Sequence, residues 1–149
     1  MDLTPGTRRV RILVVEDNEP FRGFIASMLR QQPNLHIIGE EHDGLRAVQR
    51  AQELQPDLIL LDIGLPGLNG LQVARKIREV VPSARIVFLT QESAPEVVEE
   101  AFALGAEGYL IKTHAGSELV PALETVLCGE RFTSSGLAGF RPNGVDAES

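Results

Sequence analysis

The chain has 149 residues, of which 43% are hydrophobic and 23% charged, enough for one ordinary soluble domain with a core and too few for two. A net charge of −7 argues against direct gripping of nucleic acid, and the single Cys128 excludes an internal disulfide framework and a cysteine zinc site. No apolar run approaches the roughly 20 residues of a membrane span, and "MDLTPGTRRV" lacks a signal-peptide apolar stretch, so a cytoplasmic protein without membrane contact is expected.

From residue 10 to about 128, apolar runs alternate with amphipathic stretches, the rhythm of βα units wound on a parallel sheet. "VRILVV" (10 to 15) reads as the first strand. Asn18 and Pro20 then start a helix striped by Phe21, Phe24, Ile25, Met28 and Leu29. "LHIIGE" (35 to 40) is the second strand, and Asp43 caps a helix carrying Leu45, Val48, Ala51 and Leu54. "DLILL" (57 to 61) is a third strand that looks central. After the "GLPGLNG" turn, Leu71, Ala74, Ile77 and Val81 keep helical spacing until Pro82, and "ARIVFL" (84 to 89) is the fourth strand.

Residues 95 to 104 form a fourth helix and "GYLI" (108 to 111) a short fifth strand. The last helix is expected from about Ser117 to Cys128, with Pro121 in its first turn or so. Everything from Gly129 onward, rich in Gly, Ser and Pro and without periodicity, reads as a tail or linker. The expected organisation is an N-terminal extension (1–9), one α/β domain (10–128) and a C-terminal tail or interdomain linker (129–149).

In an open parallel α/β sheet, ligands bind beyond the carboxyl ends of the strands. Here those ends carry Glu16 and Asp17, Asp62, Thr90 and Lys112. Three crowded carboxylates repel one another unless a cation sits among them, and oxygen ligands without His or Cys favour Mg2+ over zinc. A hydroxyl and an ammonium opposite such an ion would hold the oxygens of a transferring phosphoryl group. Asp62, at the tip of the most buried-looking strand, is the best acceptor, because carboxylates form acyl phosphates.

The motifs "VVEDN", "LLDIGLPGLNG", "VFLT" and "GYLIK" together resemble the receiver domain of two-component response regulators, over residues 10 to about 128. The resemblance implies a flavodoxin-like (βα)5 doubly wound sheet of order 2-1-3-4-5, an order for which a chemotaxis receiver is a standard example. It implies Asp62 as phosphoacceptor, Asp17 as direct Mg2+ ligand, Glu16 as an acid acting mainly through water, and the Gly64 carbonyl as completing the metal shell. Thr90 and Lys112 would bind phosphoryl oxygens, and Tyr109 would be the aromatic switch that turns inward when Thr90 is drawn to the phosphate.

The implied partner is a sensor histidine kinase, and the implied protein a phosphorylation-dependent switch rather than a turnover enzyme, with at most self-phosphorylation and self-dephosphorylation. "GYLIKTHAGSELVPALETVLCGERF" is most similar to receivers that precede a LuxR or NarL type helix-turn-helix domain. That points to the receiver part of a transcription regulator, contacting DNA only through an output domain absent from this chain. A stand-alone receiver acting as phosphate sink or interaction switch is the alternative, and the resemblance allows a homodimer through the switch face, formed by the fourth helix, the fifth strand and the last helix.

Some positions depart from the pattern. Thr113 stands where many receivers carry Pro, a residue the LuxR-like group also commonly lacks there, and Gln91 stands where a small residue is usual; with Gly64 and Glu92 flanking the site, the larger Gln91 would narrow access to the acyl phosphate and tune dephosphorylation. Two rivals rest on fewer residues. A haloacid-dehalogenase-like phosphatase would need a second Asp at position 64, and a phosphate loop suggested by Gly64, Gly67 and Gly70 lacks its Gly-Lys-Ser/Thr ending. His36, His42 and His114 are too scattered for a metal site.

Overall fold

A computed structural model describes residues 9–91, 94–135 and 137. Six strands, β1 (Val10–Val15), β2 (Leu35–Glu41), β3 (Leu58–Leu61), β4 (Arg85–Thr90), β5 (Gly108–Ile111) and β6 (Phe132–Thr133), form one sheet of order β2-β1-β3-β4-β5-β6. Every pairing is parallel. Five helices connect or follow the strands: α1 (Glu19–Arg30), α2 (Gly44–Leu54), α3 (Gly70–Val80), α4 (Pro95–Ala103) and α5 (Ala115–Leu127).

The strand sequences explain the layering. Side chains alternate faces along a strand, so a strand covered on both sides must be apolar at every position. In β3, Leu58 and Leu60 enter the core shared with α1 and α5, while Ile59 and Leu61 enter the one shared with α2, α3 and α4. All four are fully buried, each worth roughly 1.5–3 kcal/mol of apolar burial. A strand so held is a rigid mount for the residue at its tip, and that residue is Asp62.

Helix starts bear the capping residues the sequence offered. The Asn18 side chain accepts the Phe21 N–H at 2.8 Å, and Asp43 accepts those of Leu45 and Arg46 at 2.8 and 3.2 Å. Asn69 and Gln72 form a reciprocal capping box at the head of α3. The loop between β3 and α3 turns at Gly67, whose φ of 78° suits glycine, and Gly70 packs against the backbone of Asp62 and Ile63. These glycines therefore serve a turn and a close approach, which disposes of the phosphate-loop reading.

Two expectations need correction at the C-terminal end. The last helix begins at Ala115 rather than near Ser117, after a 3-10 turn over Lys112–His114. Pro121 accordingly lies inside α5, past its first turn, and removes the N–H that would meet the Ser117 carbonyl. Both residues are exposed, so water can serve that carbonyl. Beyond residue 128 the chain is not simply a tail: Phe132 and Thr133 return as β6, in register with Gly108 and Tyr109.

Side chains secure this return. Ser134 Oγ and Ser135 Oγ both donate to the Glu118 carboxylate, the second at 2.6 Å, and His114 Nδ1 lies 3.7 Å from it. Burial pushes the Glu118 carboxyl up, but the serine hydrogen bonds and the His114 charge outweigh it and hold it below the usual carboxylate range. A lowered folded-state pKa contributes stability that is fully present above the unfolded value and lost as pH falls through the folded one. Glu118→Gln is therefore expected to flatten part of the acid limb of stability against pH in urea unfolding; an unchanged limb would contradict the assignment.

Candidate functional site

The carboxyl ends of β1, β3, β4 and β5 open on a cavity of about 630 Å³ lined by Asp17, Asp62, Gly64, Thr90, Gln91 and Lys112 among others. Glu16 sits beneath it, 1% exposed. Parallel pairing brings the strands to one level: Val15 is in register with Leu61, and Thr90 with Ile111. The residues immediately following, Glu16, Asp62 and Lys112, consequently converge from distant parts of the chain.

Lys112 Nζ donates to Glu16 Oε2 at 2.9 Å and to Asp62 Oδ2 at 3.1 Å. It lies as close to Glu16 Oε1 without hydrogen-bond geometry, and that buried oxygen has no hydrogen-bond partner. Asp62 Oδ1 accepts the Gly64 N–H at 2.9 Å, and Glu16 Oε2 also accepts the Asn18 N–H at 3.0 Å. Asp62 is thus gripped at both oxygens, which fixes its rotamer.

Burial pushes the Glu16 carboxyl above its ordinary range, aided by the Asp62 charge and opposed by Lys112 and the Asn18 N–H. For Lys112 burial works against the charge, but the bonds and charges of Glu16 and Asp62 prevail and raise it. The ammonium is therefore held charged at neutral pH. Three carboxylates still face one ammonium.

Oxygens of Glu16, Asp17 and Asp62 lie within 4.8 Å of one another. An oxygen-only donor set and an excess of negative charge fit a hard divalent cation such as Mg2+. Of the three histidines, His114 engages Ser134 and Glu118, His42 is exposed, and the buried His36 Nε2 on β2 has no hydrogen-bond partner among the described residues.

Residues 12–124 match the model of the response regulator receiver domain. The chain belongs to this family. Among curated relatives, the nitrate/nitrite response regulator protein NarL of Escherichia coli strain K12 is 36% identical over 142 residues, covering 92% of this chain and 66% of the relative. The transcriptional regulatory protein LiaR of Bacillus subtilis is 33% identical over 130 residues, covering 87% and 62%. The chain thus spans no more than about two thirds of either. A LuxR-family two-component response regulator from Aurantimonas sp. SI85-9A1 superposes with a TM-score of 0.83 at 32% identity, covering 87% of this chain and 93% of that one. The signal receiver domain of the putative response regulator NarL from Mycobacterium tuberculosis gives 0.77 at 30% identity, covering 83% and 99%.

The receiver places its expected site residues together. Glu16, Asp17, Asp62, Gly64, Thr90 and Lys112 all border or underlie the one cavity. Tyr109 stands apart, fully buried on β5 between Phe88 and Phe102, with ring centroids at 6.3 and 6.4 Å. Gln91 is exposed at the cavity rim, while Glu92 lies outside the described residues.

Two further side chains, Arg22 and Phe21, support the site. Arg22 Nη1 donates to the Glu16 carbonyl at 2.7 Å while its Nε pairs with Glu40 at 3.3 Å, clamping the loop that carries the acidic pair. The Phe21 ring lies under Lys112, 5.1 Å from Nζ. Both sit in the first turn of α1, where they look like ordinary members of an amphipathic stripe. The only sequence signal was their nearness to "EDN".

No helix among the described residues is long and apolar enough to cross a membrane.

Proposed function

We propose that this receiver is a phosphorylation-dependent switch whose Asp62 accepts a phosphoryl group from a phosphohistidine of a sensor histidine kinase. The observation that carries this reading is the convergence of Asp62 with Glu16, Asp17 and Lys112 at one strand-end cavity. An Asp62 carboxylate oxygen attacks phosphorus in line as the N–P bond breaks and its electrons return to the imidazole. Asp17, Asp62 and the Gly64 carbonyl would hold Mg2+ directly, with Glu16 acting mainly through water. Bound there, the ion would offset charge on nucleophile and phosphoryl oxygens alike.

Lys112, already 3.1 Å from Asp62, takes one phosphoryl oxygen, and the Thr90 hydroxyl another. Drawing Thr90 and Lys112 toward the phosphate biases the receiver toward the conformer with Tyr109 buried. Any catalysis is confined to self-phosphorylation and self-dephosphorylation, with Gln91 shielding the acyl phosphate at the rim.

Because the chain spans only part of its relatives, output is read from them by analogy. We read residues 1–9 as an N-terminal extension and the receiver as residues 10–128 with β6 appended to its sheet. The rest of 129–149 leads toward a LuxR-type DNA-binding domain, in a cytoplasmic setting. A Mg2+ titration followed through the amide resonances of Asp17, Ile63 and Gly64 tests the site. Saturable shifts, weakened at least tenfold by Asp17→Asn, are expected; no saturable response would contradict the metal assignment.

A further inference from the structure

An edge strand offers a row of unpaired backbone groups, and in this receiver the β5 edge is covered by the chain's own continuation. The Phe132 N–H donates to the Glu107 carbonyl at 3.0 Å and the Ser134 N–H to the Tyr109 carbonyl at 2.9 Å. These backbone hydrogen bonds alone would not hold a two-residue strand against its ordering entropy. Side chains must decide whether it stays.

They anchor it on both flanks. Towards α5, Ser134 and Ser135 bond Glu118, and Ser134 Oγ lies 3.3 Å from His114 Nδ1. Towards α4, the Arg131 guanidinium lies over the Phe102 ring, 5.4 Å from its centroid. Phe132 packs against the core beneath α1 and α5, while Leu137 packs against the core beneath α2, α3 and α4.

One anchor adjoins the phosphoacceptor site and the other adjoins the switch tyrosine. His114 ends the 3-10 turn that Lys112 begins, and Lys112 holds Asp62. Phe102, covered by Arg131, is one of the two rings between which the buried Tyr109 lies. The Tyr109 carbonyl is itself the acceptor for Ser134.

We propose that residues 131–135 are a clasp that docks on the α4–β5–α5 face and selects the conformer with Tyr109 buried, so that clasp closure and phosphoryl binding at Asp62 strengthen each other. This rests on the reading of Asp62 as phosphoacceptor. The docked state shown here is the one with Tyr109 inward, and Arg131 steadies Phe102 against that ring. Coupling between two sites is reciprocal, so a ligand that favours the buried Tyr109 must tighten the clasp, and loosening the clasp must weaken that ligand. A segment leading onward from residue 135 would thereby feel the state of Asp62 through its first residues.

The test is amide hydrogen exchange on the full chain with Mg2+ alone and with Mg2+ plus beryllium fluoride, a phosphoryl mimic. Exchange at Phe132 and Ser134 is expected to slow about fivefold or more, the lower end of typical coupling, with a smaller change along β2 at the opposite edge. Arg131→Ala and Glu118→Gln, with unchanged circular dichroism, are expected to weaken fluoroberyllate binding by a similar factor. Saturable binding with no slowing, or with slowing that β2 shares equally, overturns the clasp and leaves the Asp62 reading standing. No fluoroberyllate binding by the unmodified chain overturns both.

Discussion

Lys112→Met is expected to lower the receiver's stability by about 3–5 kcal/mol in the absence of divalent metal, the range for removing one partner of a buried ion pair. The Glu16 and Asp62 side chains are only 1% and 5% exposed, and Lys112 is the cation that bridges them. Its loss leaves two desolvated carboxylates facing each other. The sign with pH comes from the raised lysine: stability from a raised folded-state pKa is fully present below the ordinary lysine value and lost as pH rises through the folded one. The unmodified receiver should therefore lose stability on an alkaline limb that Lys112→Met lacks. Mg2+ should restore part of the deficit by neutralising the same oxygens. Urea midpoints equal to those of the unmodified chain would contradict the ion-pair account.

Gly70→Ala is expected to cost about 3 kcal/mol, the upper end of the overpacking range, and to slow phosphorylation as well. A Cβ there would come within 2.3 Å of the Asp62 carbonyl oxygen and 2.5 Å of Ile63 Cα. Both are backbone atoms, so no rotamer change relieves the clash. The Gly70 N–H also donates to the Ile63 carbonyl at 2.8 Å, so the loop that would move is the one that sets Asp62 and Gly64. Gly67→Ala makes the control, since nothing lies within 4 Å of its Cβ and only its positive φ is penalised, by about 1–2 kcal/mol. Equal midpoints in urea for the two variants would show that the close approach does not carry the cost.

The site was legible because parallel winding forces all strand ends to one edge, so the residues at the ends of "VRILVV", "LILL", "RIVFLT" and "GYLI" spell out the cavity wall. Helix starts at Asn18 and Asp43 were legible for an equally local reason, the capping side chain. The start of α5 was not, because "KTHAGS" has neither a side-chain cap nor apolar spacing to announce its first turn. β6 escaped because its two residues carry no periodicity, and the open β5 edge 24 residues earlier is the feature that makes them a strand. The clamp by Arg22 and the orientation of Tyr109 depend on neighbours far along the chain, which no local pattern encodes.

The most direct test of the central claim is intact mass after incubation with acetyl phosphate and Mg2+, with Asp62→Asn alongside. One added phosphoryl group that requires Mg2+ and vanishes in Asp62→Asn is the predicted result. An unchanged mass in the folded, unmodified receiver, or an adduct that persists in Asp62→Asn, would contradict the assignment of Asp62 as phosphoacceptor.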